Sequence, residues 1–383
     1  MLGLKKILLL LLAFGLAQGG IALPAAGQVI RHPQPTSPLA ERFDWALQQA
    51  EKDGLAKGFW VGFSIQRLMG EHSLIGSFSS EWVGRSPSLE DLICGKKTAS
   101  EKKISEEQAV REAATQALST NGRGKPERTV IKDIAILLKY ASAASREPSL
   151  VVVSNLSLPV SLQALPLLWL GAAEDADSLA LLKDLFEKSK ADKVRSRLLS
   201  AVALHRNPSL VVPFLEHILK SREAEGIRAD AASFLGEQND RRALDVLVGT
   251  IKADASLEVR KNAVGGLAEM ELPAAADALV DFARNSPDKR IREEAVQGLS
   301  EKATTKAVSA LEQIAFRDKD TEVQIQAVQA LAELPSKEGL PYLMRVAKTH
   351  AIIQVRKAAI ERLGEMDDPA AIQALFDIIK GKS

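Results

Sequence analysis

Apolar positions in the second half of the chain recur in two nested rhythms. Val194, Ile227, Val259, Ile291, Val323 and Val355 open successive segments, 33 residues apart at the first step and 32 at each later one. With each opener counted as zero, offset four holds Leu198, Ala231, Ala263, Ala295, Ala327 and Ala359. Offset eight holds Val202, Leu235, Leu267, Leu299, Leu331 and Leu363. At about 100° per residue these positions share one arc of a helix. Offset nine is small (Ala203, Gly236, Ala268, Ser300, Ala332, Gly364) and predicts close packing where the chain turns. A second apolar set follows, with Leu247, Leu279, Leu311, Leu343 and Leu375 at offset twenty and companions at seventeen and twenty-four. Each segment therefore predicts a helical hairpin, and one hairpin cannot bury its apolar faces without stacking on its neighbours.

Upstream the rhythm changes. Leu39 to Lys52 predict an amphipathic helix with Phe43, Trp45, Ala46 and Leu47 on its apolar side. Phe59, Val61, Phe63 and Ile65 alternate with Trp60, Gly62, Ser64 and Gln66, which predicts a strand. A turn at Gly70-Glu71-His72 and a return strand over Leu74–Phe78 complete a hairpin on this reading. The aromatics here (Phe59, Trp60, Phe63, Phe78, Trp82) are expected to fill a small α+β core over residues 38–95, since alternation already points them inward. Residues 28–37, with Pro33 and Pro35, read as a linker. Residues 96–129 read as a linker and capping helix, with Ser105 and Gln108 as a capping box. Traced backwards, the repeat phrase gives a degenerate unit at Leu162, Leu170-Gly171 and Leu182, and a weaker one at Val130, Ile134 and Leu138. The expected fold class is mainly α: an alpha-alpha superhelix over 130–383 with a small N-terminal α+β region.

The phrase Val-Arg-x-x-Ala-x-x-x-Leu-[Gly/Ala]-Glu followed by a Leu-rich helix resembles HEAT repeats, in the short form found in the phycobilin-lyase family. The resemblance covers about half of the chain. It implies stacked helical hairpins whose first helices line the concave side. It also implies that turn acids such as Asp192, Asp254, Asp288, Asp318 and Asp320 bridge to the offset-one arginines (Arg195, Arg228, Arg260, Arg292, Arg356) of neighbouring units. On the helical wheel those arginines fall inside the apolar arc, where an unpaired guanidinium is disfavoured.

Charge narrows the function classes. The chain of 383 residues carries 50 basic and 49 acidic side chains, without the basic excess of a dedicated nucleic-acid binder. Lys5 and Lys6, the apolar run Ile7–Ala17 and the small residues to Ala26 form the pattern of a secretory signal over 1–27. The run is too short for a stable membrane span. The mature chain is expected to begin near Gln28, which N-terminal sequencing of exported protein would read, in a periplasmic or extracellular location. Cys94 is the single cysteine, so no internal disulfide forms; it reads as a buried thiol after Leu92-Ile93, with an intermolecular disulfide as the alternative.

Candidate chemistry is sparse. His32, His72, His205, His217 and His350 include no pair at the i, i+3 or i+4 spacing of a helical metal site. No catalytic, cofactor or metal residue is assigned, and no cofactor is expected. A glutamate recurs at offset ten (Glu237, Glu269, Glu301, Glu333, Glu365). It reads as a solvated or turn-bonding residue, with an acidic stripe for a basic partner as the alternative. Offsets two, three and six carry the polar face of the first helix. The partner-binding candidates are Lys261, Asn262, Glu293, Glu294, Gln297, Gln326, Gln329, Lys357 and Glu361. Mixed in sign and rich in amides, they suit a polypeptide better than a phosphate backbone, which calls for clustered Lys and Arg. The expectation is a non-catalytic exported scaffold for a protein partner. The alternatives are a lyase-like or chaperone activity on a prosthetic group, which the phycobilin-lyase resemblance suggests, and a structural envelope protein. No oligomeric state is assigned.

Overall fold

Seven consecutive residues from Phe59 to Ile65 are buried, which a strand achieves only when both faces of its sheet are covered. In the computed structural model this segment is β2 (Phe59–Gly70), the central strand of a mixed sheet. The structure describes residues 28–71, 73–76, 87–95, 128–205, 207–302, 304–334 and 336–380. The other strands are β1 (Val29–Arg31), β3 (Thr129–Tyr140), β4 (Leu150–Asn155) and β5 (Leu167–Ala172), in the order β1-β5-β2-β3-β4. β5 runs parallel to both β1 and β2, while β3 runs antiparallel to β2 and β4. Trp60, Ala135, Leu137, Leu167 and Trp169 form a core on one face with Leu89 and Ile93 of the short helix α2 (Leu89–Cys94). Helix α1 (Leu39–Lys52), which has the predicted bounds, packs on β5, β2 and α3 (Asp175–Lys188), and α4 (Asp192–Ala203) packs on α3 and β4.

Several expectations are corrected here. Residues 29–31 are a strand and not linker, and a three-residue strand is too short to show alternation. The antiparallel partner of β2 is β3, with Phe59 opposite Tyr140 and Gly70 opposite Thr129, and residues 73–76 form no strand. The two repeat units read backwards over 130–172 are absent. Val130, Ile134 and Leu138 lie on β3, Leu162 lies in a loop, and Leu170-Gly171 belong to β5. A spacing of four is two strand periods and close to one helical turn of about 3.6 residues, so it marks one face of a strand as well as one face of a helix. The buried Ala135, Ile136 and Leu137 between those positions decide for the strand. Cys94 is exposed rather than buried, at the end of a helix stopped by left-handed Gly95. Phe59, Trp60 and Phe63 are core residues, as expected. Phe78, Trp82, the capping box at Ser105 and the signal pattern of 1–27 lie outside the described residues.

The chain divides into two compact units, one ending at His205 and one comprising residues 206–383. The second unit contains α5 (Pro208–Lys220), α6 (Glu225–Glu237), α7 (Arg241–Ala253), α8 (Leu257–Glu269) and α9 (Pro273–Asn285). It continues with α10 (Lys289–Lys302), α11 (Thr305–Arg317), α12 (Thr321–Glu333), α13 (Ser336–Thr349), α14 (Ile353–Glu365) and α15 (Pro369–Ile379). Helices α6, α8, α10, α12 and α14 are the first helices of five successive hairpins. Offsets zero, four and eight are buried in every one. Helix starts follow local chemistry: Asp240, Ser256, Thr304 and Asp368 cap α7, α8, α11 and α15 through their side chains, and Pro opens α5, α9 and α15. First helices pack on one another more extensively than second helices do, which places the first-helix row on the inner side of the stack. Where α6 crosses α8 a Cβ on Gly236 would lie 2.3 Å from the carbonyl oxygen of Gly266, so only glycine lets these two helices approach this closely.

Candidate polypeptide-binding face

Two rows of charge run across the hairpins, and they differ in depth. The deep row is the offset-one position. Arg228 reaches Asp254 at 2.6 Å, Arg260 reaches Asp288 at 2.9 Å, and Arg292 holds Asp318 at 2.9 Å and also binds Asp320. In each case the guanidinium of one hairpin meets an acid in the turn opening the next hairpin, as the resemblance implied. The planar fork of Arg suits this, because it bonds two acceptors at once. Where offset one is Gln324, its amide donates instead to the Asp318 carbonyl at 2.7 Å. Arg356 donates to the carbonyls of His350 and Ala351, and Arg195 lies over the Phe186 ring at 4.2 Å. Asp288 is partly desolvated, which pushes its pKa up. The backbone N–H of Arg290 and the Arg260 guanidinium outweigh that and leave it below the usual carboxylate range. This row is internal glue.

The shallow row lies at offsets two, three and six. Lys261 on α8 meets Glu294 on α10 at 3.2 Å, and Lys289 on α10 meets Glu322 on α12 at 3.3 Å and Glu293 at 3.7 Å. Asn262 accepts from Ser233 at 3.0 Å and donates to the Glu258 carbonyl at 2.9 Å. Between these pairs a shallow cavity of about 260 Å³ opens, lined by Leu257, Lys261, Arg290, Glu293, Glu294, Gln297 and Gln326. Five of the nine predicted candidates thus come together in one place. Asn262 lies beside it on α8, half-buried, while Gln329, Lys357 and Glu361 are exposed further along the row and outside the cavity. Lys357 and Glu361 pair with each other at 3.6 Å.

Sequence reasoning missed Leu257 and Arg290. A signal for them existed. Leu257 stands four residues before Lys261, and Arg290 four before Glu294, so each lies one turn down the same helical face. Counting the face from the opener cut off that first turn.

The offset-ten glutamates end the first helices, rather than beginning the next, and all five are exposed. Glu333 accepts from Ser300 at 3.2 Å and Gln297 at 3.4 Å, and Glu365 pairs with Arg362 at 2.8 Å. Burial lowers the pKa of Lys302, against the opposing pull of Glu269, Glu301 and Glu271 around it. These contacts support the structural reading of the series.

A family model for HEAT repeats matches residues 212–300 and 308–383. Among solved structures, the chain is similar to the complex of CpcE and CpcF of phycocyanin lyase from Nostoc sp. PCC7120. That likeness has 20% identity and a TM-score of 0.31, over 53% of this chain and 80% of that one. It is also similar to YibA of Escherichia coli, at 17% identity and a TM-score of 0.33, over 54% of this chain and 76% of that one. A third is human deoxyhypusine hydroxylase in complex with glycerol, at 17% identity and a TM-score of 0.24, over 52% and 76%. Scores this low say nothing of activity. No curated protein matches the sequence significantly.

Proposed function

We propose that this chain, whose second unit is built of HEAT repeats, is an exported, non-catalytic scaffold that holds a polypeptide partner on its first-helix row. The observation that carries the reading is the cavity across α8, α10 and α12. It combines one apolar wall (Leu257), two cations (Lys261, Arg290), two carboxylates (Glu293, Glu294) and two amides (Gln297, Gln326). Such a lining offers both donors and acceptors with no excess of one sign. That suits the alternating N–H and C=O groups of a peptide backbone and side chains of either charge. A helical stack presents this chemistry along a continuous row, which suits an elongated partner. The Lys5–Ala26 pattern supports the export half of the reading, and no helix among the described residues is long and apolar enough to cross a membrane.

The test is the combined substitution Glu294→Ala, Gln297→Ala and Gln329→Ala. It removes the Lys261–Glu294 pair and the Gln297–Glu333 bond, both near the surface, where such links contribute about 0–1 kcal/mol each. Helicity and melting temperature should change little, while capture of a partner from envelope extract should fall about tenfold or more. Undiminished capture by the intact variant overturns the assignment of the face.

A further inference from the structure

The joints between successive hairpins are not fastened alike. Where α6–α7 meets α8–α9, the Arg228–Asp254 pair, the Ser233–Asn262 bond and a bond from the Glu271 N–H to the Asn239 side-chain oxygen cross the joint. Where α8–α9 meets α10–α11, Arg260–Asp288, Lys261–Glu294 and Lys306–Asp277 cross it. Where α10–α11 meets α12–α13, Arg292 holds Asp318 and Asp320, and Lys289–Glu322 and Arg345–Glu312 add to it. Between α12–α13 and α14–α15, no side-chain hydrogen bond or ion pair crosses among the described residues. The side-chain bonds of α14 and α15 stay within each helix or reach the turn or cap just before it. What holds α14 in place is the apolar burial of Val355, Ala359 and Leu363.

Two substitutions account for the missing clasp, one on each side of the joint. Asp254 and Asp318 each stand five residues before the next opener and do two things. Each accepts the N–H two residues on, of Ser256 and of Asp320, at 2.8 Å, and each takes the arginine of the hairpin before it. His350 stands at the same position before Val355 and keeps the first role, its Nδ1 accepting from the Ile352 N–H at 3.1 Å. In the neutral ring the other nitrogen is then a donor, and no carboxylate is offered to a cation. The residue that would reach across is Gln324 rather than Arg. Its amide donates at 2.7 Å to the Asp318 carbonyl of the turn before its own helix, and its Oε1 is buried without a partner. Both halves of the clasp are therefore absent together, and only here among these joints.

We propose that the joint between α12–α13 and α14–α15 is where the repeat unit opens, α14 and α15 uncoupling from a stack that stays closed through α13. The stability of a repeat array is close to a sum of hairpin terms and nearest-neighbour interface terms, so removing the polar links of one joint weakens that joint alone. A hairpin uncoupled from its neighbour loses the burial that sustains its helices and unfolds locally, as a sub-global unit. Opening there frees the part of the first-helix row that carries Lys357 and Glu361, while the cavity across α8, α10 and α12 keeps all its walls. The inference does not depend on what that cavity binds.

Hydrogen–deuterium exchange of the full chain, corrected for intrinsic rates, reads the opening helix by helix. Amides of α14 should exchange at least about tenfold faster than those of α8 and α10. Gln324→Arg with His350→Asp rebuilds the clasp and should slow exchange in α14 about tenfold, leaving α8 unchanged. Either substitution alone lacks its partner and should slow it far less. A general looseness of α14 predicts no such dependence on the pair. Should the rebuilt variant not fold, Gln324→Lys with His350→Asp tests the same clasp and should slow exchange in the same direction. Equal protection of α14 and α10 in the unaltered chain overturns the proposal. So does fast exchange in α14 that a folded rebuilt variant leaves unmoved, or that either single substitution slows as much as the pair.

Discussion

The two units of this molecule solve the problem of burying apolar surface in opposite ways. In the sheet unit, partners lie far apart along the chain: β2 pairs with a strand about seventy residues later and with another about a hundred residues later. In the repeat unit nearly every contact is made within a hairpin or with the next one. Loop closure therefore weighs on the first and hardly on the second. A sheet core also closes on itself, with Phe59 stacked on Tyr140 at one end of the β2–β3 ladder. On α15, the last described helix of the repeat unit, Ile379 is exposed.

The units can be watched separately, because all four tryptophans (Trp45, Trp60, Trp82, Trp169) precede residue 206 while most helix follows it. The largest effect is expected from Leu267→Asp. Leu267 is fully buried in α8, and even truncation of such a leucine costs about 2–5 kcal/mol before a charge is added. Far-ultraviolet dichroism should lose its helical transition at much lower temperature, while tryptophan fluorescence keeps the native transition. A melting curve identical to wild type would refute the helix-face assignment.

A smaller, graded effect should appear along the deep arginine row. Arg292 is 1% exposed and faces Asp318 and Asp320, so Arg292→Ala strands the buried Asp318 carboxylate and should cost about 3–5 kcal/mol. Arg228 and Arg260 are about one-fifth exposed, and their alanine variants should cost about 1–2 kcal/mol. Equal losses at all three positions would show that depth does not set the strength of the row.

Acid should separate the units by window. His205 is buried in the first unit, its Nδ1 against the Ala201 carbonyl at 3.0 Å and its Nε2 against the Ser178 hydroxyl at 2.8 Å. A carbonyl only accepts, so Nδ1 carries the proton and Nε2 accepts from Ser178. Burial first, and then the Arg67 charge, lower its pKa to about 4. The unfolded chain, with the ordinary value near 6.5, binds the extra proton first. Stability from this group is thus fully present above pH ~6.5 and is lost as pH falls toward 4, at most about 3 kcal/mol. In the repeat unit Asp288 and Glu216 are held below their ordinary values, so their contribution is present above roughly pH 4.5 and is lost only below it. Fluorescence melts should therefore fall between pH 6.5 and 4 before dichroism melts do. His205→Gln, which keeps polar atoms without the titration, should flatten the fluorescence profile.

The chain by itself determined the repeat unit almost to the residue. A period that restarts every 32 residues is a local code, and each hairpin reads it with the same neighbours. The polar face was legible for the same reason, although its first turn, at Leu257 and Arg290, was not counted. Only the tertiary structure decided the sheet. Val130, Ile134 and Leu138 have a spacing that helix and strand share, and their pairing with Ile65 and its neighbours is set by residues far away in sequence. It also decided which shallow charges converge on one cavity and which stay apart. Lys261 and Glu294 stand 33 residues apart, and a side-chain contact between hairpins depends on how closely their helices stack. That spacing is set by close approaches such as Gly298 on Ala268, where an added Cβ would lie 3.0 Å from the alanine's own, and no helical wheel contains them.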